Sequence, residues 1–456
     1  MISDSDTIVA IATPAGRGGV SIIRLSGPEA LEIGNALTGG VPEARRASLR
    51  RFLAEDGQAI DFGIVLWFPG PGSFTGEDTI ELHAHGGPVI ASALLERCVE
   101  LGARRAAPGE FSKRAFLNDK LDLAQAEAIA DIIDSGSRQA ARAALRSLEG
   151  VFSAAVRTLT ELLTQLRMYV EAAIDFPEEE IDFLSDAALT GRIAGVDAEF
   201  VALKKRVSQG RLLTDGYQVV LIGEPNAGKS SLMNRLAGAD AAIVTAIPGT
   251  TRDLVRVSID LEGLPVELID TAGLRDAPNE IEEEGISRAR AALAAADHSL
   301  IIIDATTLDG NIRDETPWQR LETELPENTG RTRVVNKIDL TGLTAGIAGQ
   351  PEEPVTLGVS ALTGAGLDEL RAAIRLAAGH EDQGEGSFSA RQRHLDALDE
   401  AYRHFLAGRN ALVTQKAGEL MAEELRLAQR SLGSITGEVS SDDLLGRIFG
   451  EFCIGK

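Results

Sequence analysis

Gly223-Glu224-Pro225-Asn226-Ala227-Gly228-Lys229-Ser230-Ser231 sets glycines, a lysine and a hydroxyl at the spacing G-x-x-x-x-G-K-[ST]. Phosphates are held by many donors at short range. A glycine turn lets backbone N–H groups curl around them, and the first turn of a following helix adds its partial positive charge. Lys229 is placed to reach the terminal phosphate oxygens, and the Ser230 hydroxyl to hold Mg²⁺. The alternative is a glycine turn ahead of an ordinary helix, and the flanks decide against it. Tyr217–Ile222 (YQVVLI) is a β-rich apolar run; Leu232 and Leu236 lie one helical turn apart, with Gly238 as the expected stop.

Three more stretches follow in order, each ending an apolar β-rich run. Asp270-Thr271-Ala272-Gly273 follows Val266–Ile269; the aspartate can bind a metal's water shell, and Gly273 lets backbone approach a γ-phosphate. Asn336-Lys337-Ile338-Asp339 follows Arg333–Val335. Asp339 can accept two hydrogen bonds from guanine, whereas adenine would leave its carboxylate unpaired, so GTP is expected over ATP. Ser360-Ala361-Leu362 follows Val355–Val359 and would support the base through its backbone. Between them, Thr245-Ala246-Ile247-Pro248-Gly249-Thr250-Thr251-Arg252-Asp253 carries a threonine pair suited to a switch that grips Mg²⁺ only while the γ-phosphate is present. Any one tetrapeptide is weak; the ordered set reads as a guanine-nucleotide hydrolysis site. Leu274 stands where Ras-like proteins place a water-orienting glutamine, and no arginine is placed to act in cis. The acidic run Glu280–Glu284 is open between a carboxylate acting through water and the solvated start of a helix.

These stretches need a scaffold. The chain has 456 residues, 44% hydrophobic, enough for two to four domains. Its formal charge of -24, from 45 basic and 69 acidic residues, disfavours unaided non-specific nucleic-acid binding as its main work. Ala44–Arg51 (ARRASLRR) and Leu203–Arg211 (LKKRVSQGR) are either local basic patches or solvated faces. Two distant cysteines, Cys98 and Cys453, argue for a reducing compartment, and no leader or membrane-length apolar run is found, so a soluble, cytoplasmic protein without a membrane partner is expected. Residues up to about 120 read as mixed α/β, with strands over Thr7–Ala12, Val20–Leu25, Phe62–Phe68 and Asp78–His85 and a helix over Val89–Leu101. Gly16–Gly19 is a plain turn or a site for a different ligand. From Leu121 to Arg211 the signal is helical; Leu145, Leu148, Phe152, Val156, Leu159, Leu162, Leu166 and Val170 form one stripe expected on a single long helix. Residues 215–378 alternate strand and helix as a parallel sheet does, Gly379–Ser387 reads as a linker, and helix resumes with Leu395, Leu398, Tyr402 and Leu406. The economical arrangement is one helical domain with the nucleotide domain inserted into it.

The loop Gly223–Ser231, with Gly249-Thr250-Thr251-Arg252-Asp253 and Asp270–Leu274, resembles the TrmE–Era class of GTPases. Ala12–Gly19, Ser73–Asp78, His85–Pro88, Pro108–Phe111 and Cys453-Ile454-Gly455-Lys456 narrow the resemblance to the MnmE (TrmE) family of tRNA-modification GTPases, over essentially the whole chain. The resemblance implies a multidomain α/β plus all-α protein. An N-terminal α+β folate-binding-like and dimerisation domain (1–120) would precede a discontinuous helical domain (121–214 and 379–456), with a Ras-like P-loop G domain (215–378) inserted. It implies a homodimer that pairs with the flavoprotein MnmG in a heterotetramer. Together they would add an aminomethyl or carboxymethylaminomethyl group at C5 of the wobble uridine of certain tRNAs, with a methylene- or 5-formyl-type tetrahydrofolate as one-carbon compound. By the same resemblance, Arg24, Glu81, Lys120 and Lys456 would bind folate. Asn226, Thr245, Ile247 and Thr250 would hold an activating K⁺ doing the charge work of an arginine finger, Ser230 and Thr251 would hold Mg²⁺, and Glu282 would position water. The GTP site would span Asn226–Ser231, Thr245–Thr251, Asp270–Gly273, Asn336, Lys337, Asp339 and Ser360–Leu362. Cys453 is open between a reactive thiolate and a structural role. Pro248 stands where other members often carry a small non-proline residue. Two rivals remain: a regulatory or ribosome-assembly GTPase switch, and a folate enzyme with a vestigial G domain. The acidic charge and the C-terminal tetrapeptide weigh against the first, the intact nucleotide motifs against the second.

Overall fold

The computed structural model describes residues 6–175, 187–240, 255–270, 293–294, 296–308, 316–323, 325, 329–347, 354–379 and 387–455. The described residues up to Ala130, with those from Gln429 onward, form one compact unit; Asp131–Ala428 form a second.

The first unit is built on a six-stranded sheet in the order β3-β4-β5-β2-β1-β6. Its strands are β1 (Ile8–Ile11), β2 (Val20–Ser26), β3 (Ser48–Leu53), β4 (Ala59–Phe68), β5 (Thr79–His85) and β6 (Arg104–Arg105). Alternation along the strands divides the faces. Ile23, Leu25, Val65, Ile80 and Leu82 point to the helices Ala30–Thr38 and Pro88–Glu100, packing with Ile33, Leu37 and Leu94. Cys98 belongs to this core, where burial pushes its thiol up to about 12. The intervening period places Arg24 and Glu81 on the other face. Of the basic stretch Ala44–Arg51, Ser48–Arg51 enter edge strand β3, with Arg51 over the Phe62 ring of β4, while Arg45, Arg46 and Arg51 stay exposed. Gly16–Gly19 is a turn: Gly18 N–H donates to Gly86 O at 2.9 Å and β2 follows directly.

The second unit joins helices to a seven-stranded sheet. The expected single long helix is two, Arg138–Leu148 and Val151–Asp175, broken at Gly150, whose φ of 89° is left-handed. The stripe shifts accordingly: Leu145 is exposed and Leu163, not Leu162, is buried. Helices Ala187–Thr214 and Gln392–Gln415 complete the cluster, meeting at Phe200, Tyr402 and Phe405. Leu203–Arg211 lies on the former, where its cations serve internal contacts: Lys204 pairs with Asp399, Arg206 lies over Phe388, and Arg211 pairs with Asp297.

The sheet of this unit runs β12-β13-β11-β10-β7-β9-β8. Its strands are β7 (Tyr217–Gly223), β8 (Val255–Leu261), β9 (Leu264–Asp270), β10 (His298–Asp304), β11 (Gly330–Asn336), β12 (Gly346–Ile347) and β13 (Val355–Gly358). The five central strands are parallel, as expected; β8 and β12 pair antiparallel at the edges, so the sheet is mixed. Val220, Ile222, Ile301, Ile303 and Val335 fill one face, and Val219, Leu221, Leu268, Leu300 and Val334 the other, the run of apolar residues that a doubly covered strand requires.

The chain crosses between helices and sheet at two points. It leaves the helices at Asp215 and returns through Ser387–Arg391, where Phe388, Ser389 and Ala390 are buried and Phe388 stacks on Phe152 at 4.7 Å. Asp131, Asp215 and Arg391 line a cavity of about 230 Å³ beside these crossings. Burial pushes the Asp215 carboxyl up to about 6, against the opposing pull of Arg211 and Arg391.

Candidate functional site

β7 lies between β9 and β10: the chain passes from β7 to β8 and β9 on one side, and from β9 it crosses to β10 on the other. Ligands of open α/β sheets bind at this crevice, beyond the carboxyl ends of the strands. The glycine loop leaves β7 there and enters the helix Lys229–Asp240, which runs through Gly238 and does not stop at it. Two left-handed residues make the turn, Asn226 at φ 64° and Gly228 at φ 89°. Gly228 also has no room for a side chain, since a Cβ would lie 2.3 Å from Asn336 Nδ2.

The other stretches meet this loop. Lys229 is buried, and its ammonium donates to the carbonyls of Gly223 at 2.9 Å and Glu224 at 2.8 Å, spanning the loop. The Ser230 hydroxyl donates to Asp270 Oδ2 at 2.6 Å. A hydroxyl and a carboxylate brought together at a strand end are the hard oxygen donors Mg²⁺ takes, so these residues fit that ion. Asn336 is 1% exposed and ties two loops together: Nδ2 donates to Ala227 O at 2.9 Å, and Oδ1 accepts from Ala361 N–H at 3.1 Å. Asp339 Oδ1 accepts from the Ser360 hydroxyl at 2.6 Å, which orients its carboxylate. Leu362 is exposed. Asn226, Ala227, Gly228, Lys229, Ser230, Asp270, Asn336, Lys337, Asp339, Ser360 and Ala361 thus gather on one sheet edge. Thr245, Ala246, Ile247, Pro248, Gly249, Thr250, Thr251, Thr271, Ala272, Gly273 and Glu282 lie outside the described residues.

In the first unit, Arg24 on β2 faces Glu81 on β5 in register. Its Nε and Nη2 donate to Glu81 Oε1 at 2.9 and 2.8 Å, and the guanidinium lies 5.8 Å from the centre of the Phe111 ring. The C-terminal segment reaches this point: Ile454 bridges Pro108, and Arg24 Nη1 donates to Gly455 O at 3.5 Å. The Arg24 and Glu81 side chains, 25% and 15% exposed, offer a donor and an acceptor, the chemistry that suits a flat ligand bearing both N–H groups and carboxylates. Lys120 stands apart; it is exposed and its ammonium donates to Pro71 O at 2.9 Å. Cys453 is exposed, and Lys456 lies outside the described residues.

Two groups escape a reading of the sequence. His83 Nε2 lies 3.1 Å from Glu81 Oε2, beside Arg24. In a second group, Arg104 and Arg114 both bind Asp6 and Glu110, and Arg114 also binds Glu77. Glu77 and Glu110 fall within family-like stretches, but Asp6 meets its arginines across 98 and 108 residues, so no local spacing could reveal it.

Comparison with known proteins gives the family. The family described as "GTP-binding protein TrmE N-terminus" matches residues 7–120, and "MnmE helical domain" matches residues 123–453. The chain is 55% identical to the tRNA modification GTPase MnmE of Pectobacterium atrosepticum, and 54% identical to those of Pectobacterium carotovorum and Stutzerimonas stutzeri, each over 100% of both chains. Among solved structures, a variant of Aquifex aeolicus Era bound to GDP.AlF4- shares 25% identity over 42% of this chain and 66% of that one, with a TM-score of 0.26. The full-length relatives and the family matched over residues 123–453 carry the assignment: this chain belongs to the MnmE family of tRNA modification GTPases.

Proposed function

We propose that this GTPase couples its nucleotide cycle to modification of C5 of the tRNA wobble uridine, as a homodimer working with MnmG and with a tetrahydrofolate derivative as the one-carbon compound. The observation that carries this reading is the convergence of Arg24, Glu81 and the Cys453–Gly455 segment at one place on the N-terminal sheet. We read 1–120 as the folate-binding and dimerisation domain, 121–214 with 379–456 as the helical domain, and 215–378 as the G domain. Arg24 and Glu81 supply the folate contacts in this reading, with Lys456 as a further cation. Lys120 would have to leave Pro71 to join them. Cys453, exposed, is free for a part in the modification chemistry. Nucleoside analysis of bulk tRNA tests the proposal. Cells lacking this chain should lose the C5-substituted wobble uridine, and a chain carrying Arg24→Ala should not restore it; unaltered wobble uridines without the chain would refute the reading.

The nucleotide reading assigns Mg²⁺ to Ser230 and Thr251, and water positioning to Glu282. Potassium at Asn226, Thr245, Ile247 and Thr250 would supply the positive charge that Leu274 and the missing arginine leave unprovided. Asn226 supports this: it is exposed at the turn of the phosphate loop, where its backbone is left-handed. GTP turnover by the purified protein should rise at least tenfold when potassium replaces sodium at equal ionic strength. Equal rates in the two salts would remove the cation from the mechanism.

A further inference from the structure

Beside the base-reading stretch lies a carboxylate that no part of the foregoing uses. Asp304 is the last residue of β10 and pairs in register with Asn336, the last residue of β11. Its Oδ1 accepts from the Thr306 N–H at 2.9 Å and the Thr306 hydroxyl at 2.8 Å, which among the described residues leaves Oδ2 aimed at one donor. That donor is the Lys337 ammonium at 2.7 Å. Lys337 itself has a left-handed backbone, φ 64°, uncommon for a residue with a side chain. A Cβ built on Gly228 would lie 3.9 Å from Lys337 Cε, so the lysine stem crosses the phosphate loop on its way to Asp304.

We propose that Asp304 is a positioning residue for guanine-nucleotide binding, holding Lys337 across the phosphate loop so that its stem forms a fixed wall of the nucleotide pocket. The proposal rests on reading Asn336–Asp339 as the base-contacting stretch. A lysine on a flexible stem loses rotamer freedom when it is ordered against a ligand. Asp304 orders it beforehand, so the ligand does not bear that loss. The ionic state suits the task. Burial pushes the Asp304 carboxyl up, but hydrogen bonds from Lys337 and Thr306 outweigh it and hold it below the usual carboxylate range. Asp304 does not reach the base itself, so it should change affinity and leave both turnover and base choice alone.

The test is a double-mutant cycle on the full-length protein with fluorescent GDP and a GTP analogue. Asp304→Asn, nearly isosteric, should weaken both nucleotides about tenfold while kcat at saturating GTP stays within about twofold. Lys337→Ala should weaken them at least as much, and the double variant should bind no worse than Lys337→Ala alone. The preference for guanosine over inosine nucleotides, which Asp339 governs, should be the same in Asp304→Asn as in the unaltered protein; that ratio separates positioning from general damage. Affinity within twofold in Asp304→Asn, losses that multiply in the double variant, a lowered kcat with unchanged affinity, or an altered guanosine preference would each overturn the proposal. Unaltered protein that held ATP as tightly as GTP would overturn instead the reading of Asn336–Asp339.

Discussion

Gly228→Ala should weaken guanine-nucleotide binding at least a hundredfold. Two costs combine. A residue with a Cβ at φ 89° is strained by about 1–3 kcal/mol. The Cβ would also lie 2.3 Å from Asn336 Nδ2, well inside any non-bonded contact. Asn336 cannot step aside, because it is buried and held at both ends, by Ala227 O and by Ala361 N–H. Either the phosphate loop deforms or the clasp between the two loops opens. Opening it orphans buried polar groups at about 1–3 kcal/mol. Together these come to about 2–6 kcal/mol, with a middle value above the roughly 2.7 kcal/mol that a hundredfold change in affinity represents. Titration with labelled GDP measures the effect. Gly238→Ala is the control: it lies in the following helix, a Cβ there meets nothing within 4 Å, and the substitution should leave affinity unchanged. A Gly228→Ala protein within tenfold of normal affinity would mean that the loop reshapes freely.

Arg114→Ala should destabilise the N-terminal unit by about 3–5 kcal/mol, the usual outcome of removing one partner from a buried ion network. Arg114 is 6% exposed and donates to Asp6, Glu77 and Glu110 at 2.5 to 3.3 Å. Arg104 also binds Asp6 and Glu110, but its bonds leave Glu77 without a cation. Denaturant unfolding followed by a probe in the first unit would read the loss; a change under about 1 kcal/mol would mean that water takes the place of the guanidinium. The effect should depend on pH with a defined sign. The Arg104 hydrogen bond, aided by Arg114, holds the Asp6 carboxyl below its ordinary value. Burial pushes Glu110 up, but Arg104 and the Ala107 N–H outweigh it, and Glu110 too is depressed. For depressed acids the stabilisation is complete above the unfolded value near 4 and disappears as pH falls through the lower folded value. The gap between the unaltered protein and Arg114→Ala should therefore be widest above about pH 5 and narrow below pH 4.

How much was legible follows from how far apart the cooperating residues lie. The phosphate loop, its strand and its helix fall within one short stretch, and there the residue types dictate the backbone directly. Asp270, Asn336 and Ser360 were recognisable because each closes an apolar run, which marks the same sheet edge. What a sequence could not disclose is their mutual grip, such as Gly228 against Asn336 or Asp304 on Lys337, because that depends on strand order. Helix signals misled where one residue decided. Gly150 splits an unbroken leucine stripe, whereas Gly238, of the same type, sits inside a helix with open space around it. The strand Ser48–Leu53 was hidden by two consecutive arginines, which point to opposite faces, Arg51 exposed and Arg50 half-buried, as an edge strand tolerates. In the first unit, Arg24 and Glu81 were suggested by resemblance, and only cross-strand register explains why they meet.

The two chain crossings have a consequence for chain entropy. Asp215 and Arg391 line one cavity, a backbone hydrogen bond from Gln392 favours the ionised Asp215 carboxylate, and Phe388 is locked among the helices. So long as those helices hold, the stretch between the crossings, roughly 170 residues, is a closed loop even when unfolded. Permanent closure of a loop that size would remove about 5 kcal/mol of unfolded-state freedom on the chain-entropy model. The helices thus act on the nucleotide domain as a reversible non-covalent crosslink. A substitution that loosens Phe388 or Phe152 would weaken the GTP-binding domain without touching it, by giving its unfolded chain more room.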